Sequence, residues 1–188
     1  MRYYKLTMDM TRENDVVLHC KNSSEIGLNT FVTGEYYSGI ANIIFYYDEI
    51  EGNVWTDYLA NDKGWFIVSE RFKDLLDKMN SDIQFIGIGI CNIEGEFIEN
   101  KYYIANIVKV VDALCLDKSD YFETYIEGKG MIYSVSKYGI YENRTESADI
   151  FKLDNWQQVP IFVSEKFKNI VELEKCTGMA FQEISVEQ

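Results

Sequence analysis

One pattern of hydrophobic and polar positions occurs twice in this chain. Residues Trp65–Asn80 form a short apolar run, a Ser-Glu pair, and a segment with apolar residues at positions i, i+3, i+4 and i+7. Residues Ile161–Val171 repeat this order, and Ser69 corresponds to Ser164 at an offset of 95. Both segments lead into a further apolar run. The pattern therefore predicts two related units, each made of a strand, a helix and a second strand.

The residue types at the start of each amphipathic segment favour a helix N-terminus. The hydroxyls of Ser69 and Ser164 can accept a hydrogen bond from a free amide of the first turn, and the glutamates that follow meet the positive end of the helix dipole. Phe72 and Phe167 begin the apolar face of each helix, so we expect both to be buried. Neither serine is flanked by the glycines of a nucleophile elbow, which disfavours a catalytic role.

The remaining apolar runs are short and rich in β-forming residues. Gln84–Ile93 and Glu96–Val111 predict a long hairpin, although the length of its second arm would also suit a helix. We expect the α+β class: a single compact domain over residues 1–188, with a mostly antiparallel sheet. The repeat predicts that this domain has two related halves, at about 1–100 and 101–188.

Charge and composition narrow the classes of function. The chain has 188 residues, and its 31 acidic and 18 basic residues give a net charge of −13. A nucleic-acid-binding protein needs a basic surface, and an anionic membrane would repel this chain, so neither partner is expected. A basic protein would be attracted. A hydrophobic content of 47% is typical of a globular protein.

The cysteine and histidine content argues against a metal site. The four cysteines are far apart, no CxxC pair occurs, and His19 is the only histidine. We expect His19 to be a packed strand residue, and we expect no cofactor, no metal and no disulfide. The N-terminal residues lack the apolar core of a signal peptide, so a cytoplasmic location with reduced thiols is expected. The cysteines are Cys20, Cys91, Cys115 and Cys176.

The stretch Asp48–Asp62 is the main candidate for a binding site. It contains five carboxylates, two aromatic residues and no Lys or Arg. Acidic residues with Trp and Tyr among them are typical of a surface that binds a cationic partner, and still more often of an ordinary solvated loop. The candidate partner-binding residues are Asp48, Glu49, Glu51, Trp55, Asp57, Tyr58 and Asp62.

Several blocks of the sequence resemble, in order, a bacterial immunity-protein family. The blocks are RYYKL, WFIVSERFKDLL, YYIANIVKVVDAL with DKS after it, and ADIFKL with PIFVSEKFKNIVE and TGMAFQEI after it. They span Arg2 to about Ile184. Members of this family occur beside polymorphic toxins and are described as protecting the producing cell. The resemblance implies a binding protein for a cognate toxin, and none of its motifs is a reactive site.

Two hypotheses from different classes follow. The first is an immunity protein that binds and neutralises a toxin without catalysis, so that the chain is not an enzyme; the toxin would present a basic surface. The alternative is a small enzyme of unknown reaction that uses carboxylates, for which two or more of them would have to converge in a pocket with shifted pKa values. The sequence leaves a homo-oligomer open.

Overall fold

A computed structural model describes residues 1–22, 26–27, 30–39, 42–128, 130–154 and 159–188. Within these residues the chain forms fifteen strands and two α-helices. The helices are α1 (Glu70–Leu76) and α2 (Glu165–Leu173). The strands are β1 (Tyr3–Met8), β2 (Val17–Cys20), β3 (Ile44–Tyr47), β4 (Tyr58–Asn61), β5 (Ile67–Ser69), β6 (Ile83–Asn92), β7 (Tyr102–Ile107), β8 (Val110–Val111), β9 (Asp120–Ile126), β10 (Gly130–Lys137), β11 (Gly139–Tyr141), β12 (Ile150–Leu153), β13 (Ile161–Ser164), β14 (Met179–Glu183) and β15 (Ser185–Glu187).

Six strands close into a barrel in the order β2-β3-β6-β7-β5-β4. Its interior is apolar and aromatic, because alternate residues of each strand point inward. Phe45, Leu59, Ile67 and Ile104 are fully buried there, and Trp65 packs with them. β6 and β7 pair as an antiparallel hairpin, as the sequence predicts, and the ambiguous second arm is a strand that ends at Ile107.

The remaining strands form a five-stranded sheet, β14-β1-β13-β12-β8, and two small two-stranded sheets. The α+β class is the predicted one. The predicted mostly antiparallel sheet is not confirmed as such, because the strands form a barrel and mixed sheets. Four strand pairs are parallel: β2 with β4, β3 with β6, β8 with β12, and β11 with β15. Period-two patterns mark strands but do not specify which strands become neighbours, so the sequence could not predict the barrel.

Both helices begin where the sequence predicts. The Phe72 amide donates to Ser69 Oγ and the Phe167 amide donates to Ser164 Oγ, each at 3.2 Å. Phe72 and Phe167 are completely buried, which confirms the predicted apolar face, and their rings meet edge to face at 6.2 Å. The two helices therefore share one core.

The strands around each helix follow the same plan. β5 and β6, which precede and follow α1, lie on either side of β7, and β13 and β14 lie on either side of β1 in the same way. The registers agree, because Ser69 pairs with Tyr102 and Ser164 pairs with Tyr3. The predicted boundary between halves near residue 100 does not coincide with a boundary between sheets. β1, from the first half, lies between β13 and β14 of the second half, and β7, from the second half, completes the barrel of the first. The description as one domain with two halves stays a prediction.

The same correspondence continues at the helix N-termini. The Glu70 amide donates to the Lys101 carbonyl at 3.1 Å, and their side chains form an ion pair at 3.3 Å. The Glu165 amide donates to the Arg2 carbonyl at 2.9 Å, and the Arg2 guanidinium pairs with the Glu165 carboxylate. A basic residue and two tyrosines thus begin both β1 and β7 in equivalent surroundings.

Candidate functional site

The acidic stretch meets a second acidic tip at one edge of the barrel. β3 and β6 run parallel, and Tyr47 pairs with Asn92 at their ends. Because parallel strands end at the same edge, the segments that follow them are neighbours. Together they line a groove of about 300 Å³. We call the surface around this groove the acidic face, and define it by Asp48, Glu49, Ile50, Glu51, Ile93, Glu94 and Glu96.

The acidic face combines negative charge with exposed apolar side chains. Ile50 is 92% exposed and Ile93 is also exposed, so two isoleucines face solvent among the carboxylates. Partial burial, together with the charges of Glu49, Glu94 and Glu96, raises the pKa of Tyr47. The carboxylates of both segments therefore act on the same phenol, which shows that their fields overlap.

Short hydrogen bonds fix both tips of the acidic face. Asp48 Oδ1 accepts the Ile50 amide at 2.9 Å, and the Asp48 carbonyl accepts the Glu51 amide at 3.1 Å. Across the groove, Asn92 Oδ1 accepts the Glu96 amide at 2.8 Å, and Gly95 adopts φ of +90°, a conformation that glycine adopts without strain. These turns present Ile50 and Ile93 from a fixed backbone.

Glu51 connects the acidic face to the only histidine in the sequence. Its carboxylate lies 2.6 Å from His19 Nε2, and the imidazole stacks on the Tyr46 ring at 5.2 Å. His19 lies in β2 and packs on Tyr46, as expected of a strand residue, but it is only partly buried and has a carboxylate partner. The His19 imidazole, stacked on Tyr46, therefore helps to hold the Glu51 carboxylate in position.

Trp55 and Tyr58 are partly buried, because their rings pack against the interior of the fold. The Trp55 ring packs between Tyr47 at 5.0 Å and Tyr102 at 5.7 Å, against the barrel core. Tyr58 meets Phe66 edge to face at 4.9 Å in the core beneath the helices, and burial raises its pKa to about 12. Both aromatic rings pack internally and keep part of their surface exposed, so their role as anchors for a partner stays a prediction.

Asp57 is buried and serves an internal purpose. Its carboxylate accepts hydrogen bonds from Ser69 Oγ at 2.8 Å, from the Thr177 amide at 2.9 Å and from Arg71 Nη2 at 2.5 Å. Burial alone would raise the pKa of Asp57, but the hydrogen bonds from Arg71, Ser69 and Thr177 outweigh it and hold that pKa below its usual range. Its acceptor capacity is used within the fold, so Asp57 does not belong to the acidic face.

Asp62 lies at the far end of β4 and does not line the groove. Its Oδ1 accepts the Cys20 amide at 3.0 Å, and Oδ2 lies 3.6 Å from Lys63 Nζ. The carboxylate therefore terminates the β2–β4 pair. Of the seven predicted partner-binding residues, the structure brings Asp48, Glu49 and Glu51 together and places the other four elsewhere.

Sequence reasoning missed Ile50, Ile93, Glu94 and Glu96. The sequence predicts a hairpin turn between Gln84–Ile93 and Glu96–Val111, at Glu94-Gly95, and the structure has a turn there, with the Gly95 amide donating to the Asn92 carbonyl at 3.0 Å. Only the parallel pairing of β3 with β6 brings that turn beside Asp48, and a parallel pair between distant segments leaves no local signal. The exposed Ile50 within a run of acidic residues is the one local sign of this surface.

The described residues lack the groupings that metal or nucleophilic chemistry requires. Within them, no set of three or more His, Cys, Asp or Glu is arranged to hold a metal ion. Ser69 and Ser164 are occupied as helix caps. The four cysteines are free, and burial raises the pKa of the Cys176 thiol to about 11. Neither helix within the described ranges is long and apolar enough to cross a membrane.

The acidic face thus presents two exposed isoleucines beside carboxylates on hydrogen-bonded turns. The fold and this surface together place the chain among strand-rich α+β proteins with an acidic surface. A comparison with family models gives its family. The model of the immunity protein family Imm11 matches residues 2–186, so the chain belongs to that family and the resemblance noted from the sequence is confirmed. A comparison with curated proteins found no match.

Proposed function

We propose that this protein binds a cognate toxin and neutralises it without catalysis, in the cytoplasm of the producing cell. The observation that carries the proposal is the match to the immunity protein family over residues 2–186. Inhibition by binding needs a partner surface and no reactive groups. The acidic face supplies such a surface, and its hydrogen-bonded turns need little ordering when a partner binds.

We further propose that the toxin presents a basic surface to the acidic face. A net charge of −13 attracts a basic protein over long range, and attraction of this kind acts mainly on the association rate. Asp48, Glu49 and Glu51 supply charge at the rim, while Ile50 and Ile93 supply apolar contact at the centre. This arrangement of a polar rim around an apolar centre is typical of protein interfaces.

The proposal is tested by association kinetics with the protein encoded by the adjacent toxin gene. Charge reversal of Asp48, Glu49 and Glu51 to Lys should lower the association rate constant by about tenfold or more at low salt. Raising the ionic strength shortens the Debye length from about 30 Å to about 8 Å, which should reduce the difference between variant and wild type.

A matched control reverses three exposed carboxylates elsewhere, Asp74, Glu172 and Glu183, and changes the net charge equally. We expect it to lower the association rate much less. Equal effects of the two triple variants would reject the acidic face as the site and leave only a general effect of charge. No binding by the wild-type protein, or no protection of cells that express the toxin, would reject the immunity function itself.

The alternative, a small enzyme that uses carboxylates, has weaker support. Asp57 has a lowered pKa, but it is buried in contact with Arg71, Ser69 and Thr177. The groove of the acidic face is open and shallow, with two exposed isoleucines, whereas an enzyme pocket encloses its substrate. These features favour a contact surface for a protein.

A further inference from the structure

The hairpin of β9 (Asp120–Ile126) and β10 (Gly130–Lys137) differs from the rest of the fold. In the described residues these strands pair only with each other, while the other strands belong to the barrel or pack against a core. Phe122 is 77% exposed and Tyr125 is 70% exposed, and the exposed Met131 lies directly opposite Tyr125. An isolated two-stranded hairpin with apolar side chains in solvent gains little stability from its own packing.

The base of this hairpin is firmly attached. Val135 packs against the core of the five-stranded sheet, and Ser136 Oγ donates to the Asp120 carbonyl at 3.0 Å. Lys137 Nζ lies 3.0 Å from the Asp120 carboxylate, and the Gly139 amide donates to Ser119 Oγ at 2.9 Å. The hairpin therefore projects in a defined direction and presents its outer part to solvent.

Each of the two units has a long connection at this place in the fold. The Lys21 amide donates to the Ile44 carbonyl at 2.8 Å, and the Cys115 amide donates to the Gly139 carbonyl at 2.8 Å. These equivalent bonds close two connections of similar length, residues 22–43 and residues 116–138.

The two connections differ in how much of their apolar surface the fold covers. In the first, Ile26 and Phe31 return to the barrel core, where the Phe31 ring meets Trp65 at 4.8 Å, while Tyr36 is exposed. In the second, Phe122 and Tyr125 are exposed and belong to no core of the described residues. Exposed apolar side chains that lie close together are expected where a partner covers them.

We propose that the β9–β10 hairpin is the apolar anchor of the toxin contact and enters an apolar cleft of the toxin; this rests on the proposed function. Aromatic residues are the usual anchors of protein interfaces. Trp55 and Tyr58, the aromatics of the acidic stretch, are partly buried by internal packing, whereas Phe122 and Tyr125 are largely exposed and free to contact the toxin.

Charge favours the toxin over a second copy of this chain as the occupant. A second copy also carries a net charge of −13, so two copies repel each other, whereas a basic toxin is attracted. The hairpin adds to this preference at its exposed strand β9, where Glu123 lies between Phe122 and Tyr125 and faces solvent.

The test replaces Phe122 and Tyr125 together by Ser and measures binding of the protein encoded by the adjacent toxin gene. The control replaces Leu173 and Tyr36 by Ser, because these side chains are equally exposed at 78% and 67% and lie outside the hairpin. We expect the hairpin variant to dissociate at least tenfold faster with a nearly unchanged association rate, and the control to match the wild type. Thermal unfolding of both variants checks that they remain folded.

A second measurement needs no substitution. Hydrogen exchange of the β9 and β10 amides should slow when the wild-type protein is bound to the toxin. The anchor would be overturned if the wild type binds, the hairpin variant dissociates no faster, and these amides gain no protection. The proposed function would still stand in that case. No binding by the wild type overturns both. A wild-type dimer that the hairpin variant breaks into monomers would show that a second copy is the occupant and would also overturn the anchor.

Discussion

Asp57 and Asp149 hold equivalent positions in the two units. Asp57 accepts a hydrogen bond from Ser69 Oγ at 2.8 Å, and Asp149 accepts one from Ser164 Oγ at 3.1 Å. Each of these serines is the N-cap of the helix in its own unit. Both carboxylates are buried, and each also accepts a charged donor from the second residue of that helix, Arg71 or Lys166.

The same carboxylates connect each unit to the other. Asp57 accepts the Thr177 amide at 2.9 Å, and Thr177 follows α2. Asp149 accepts the Asn80 amide at 3.0 Å, and Asn80 follows α1. Each carboxylate therefore ties the start of one helix to the chain that leaves the other, and the two links stabilise the contact between units.

Replacement of Asp57 by Asn tests this link. The amide keeps the size of the side chain but loses the charge that binds Arg71, so the free energy of unfolding should fall by about 2 kcal/mol. Asp74→Asn, on the exposed side of α1, should leave it nearly unchanged. Urea denaturation measures both, and equal stability of the two variants would contradict the role of Asp57.

The effect of Asp57 should depend on pH in one direction. Because its folded pKa is lowered, the stabilisation is fully present above the unfolded pKa of about 3.9 and is lost as pH falls through the folded pKa. The difference between the wild type and Asp57→Asn should thus be constant near neutrality and shrink below about pH 4. A difference that grows in acid would contradict the lowered pKa.

The contact between Phe72 and Phe167 should couple the two helices energetically. Each replacement by Ala leaves a cavity in the shared core and should cost about 3–5 kcal/mol. Because the rings meet at 6.2 Å, a double-mutant cycle should give a coupling energy of about 0.5–1.5 kcal/mol. Additive effects within about 0.3 kcal/mol would show that the rings act independently.

Gly178 is fixed by its surroundings as well as by its backbone conformation. It adopts φ of +89°, and an added Cβ would lie 2.2 Å from the Tyr58 carbonyl oxygen. Gly178→Ala should therefore lower the free energy of unfolding by about 3 kcal/mol or more. Gly64→Ala is the control, because Gly64 has a similar φ of +64° but open space around it, and should cost about 1 kcal/mol. Equal losses of unfolding free energy in the two variants would show that the contact with the Tyr58 carbonyl oxygen adds nothing.

Because Lys152 is buried, the free energy of unfolding should rise as the pH becomes alkaline. Its Nζ donates to the carbonyls of Phe31 at 2.9 Å and Val32 at 3.0 Å, and burial lowers its pKa to about 8. Between about pH 8 and pH 10.4 the unfolded chain holds this proton and the folded chain does not, so stability rises with pH by up to about 3 kcal/mol.

The variant Lys152→Met separates the contribution of Lys152 to stability from the contributions of tyrosines and thiols that titrate in the same pH range. The difference in unfolding free energy between the wild type and this variant, followed by urea denaturation from pH 7 to pH 10, should shift in favour of the wild type as pH rises. A difference that stays constant over this range would contradict the lowered pKa.

The part of the fold that local patterns determine was predictable. Ser69 and Ser164 begin helices, and Phe72 and Phe167 are buried, because caps and helical periodicity act over a few residues. The correspondence of β1 with β7 rests on little more than Tyr3-Tyr4 and Tyr102-Tyr103, which is too weak to find without the strand pairs.

The candidate site was predictable only in part. Asp48, Glu49 and Glu51 lie together on one turn, as neighbours in sequence must, and none of the three is buried. Asp57 and Tyr58 lie in the same acidic stretch of sequence. However, the pairing of β4 with β5 places them beneath the helices. Only this long-range pairing distinguishes the buried carboxylate of Asp57 from the solvated ones.

Titration of a candidate toxin, chosen from the proteins encoded near the gene of this protein, tests the central claim most directly. A binding protein that acts without catalysis should reduce toxin activity in proportion to the amount added, and should abolish it near one equivalent without further change over time. Loss of toxin activity at far less than one equivalent, progressing with time, would show catalysis, and unchanged activity at excess would contradict neutralisation by binding.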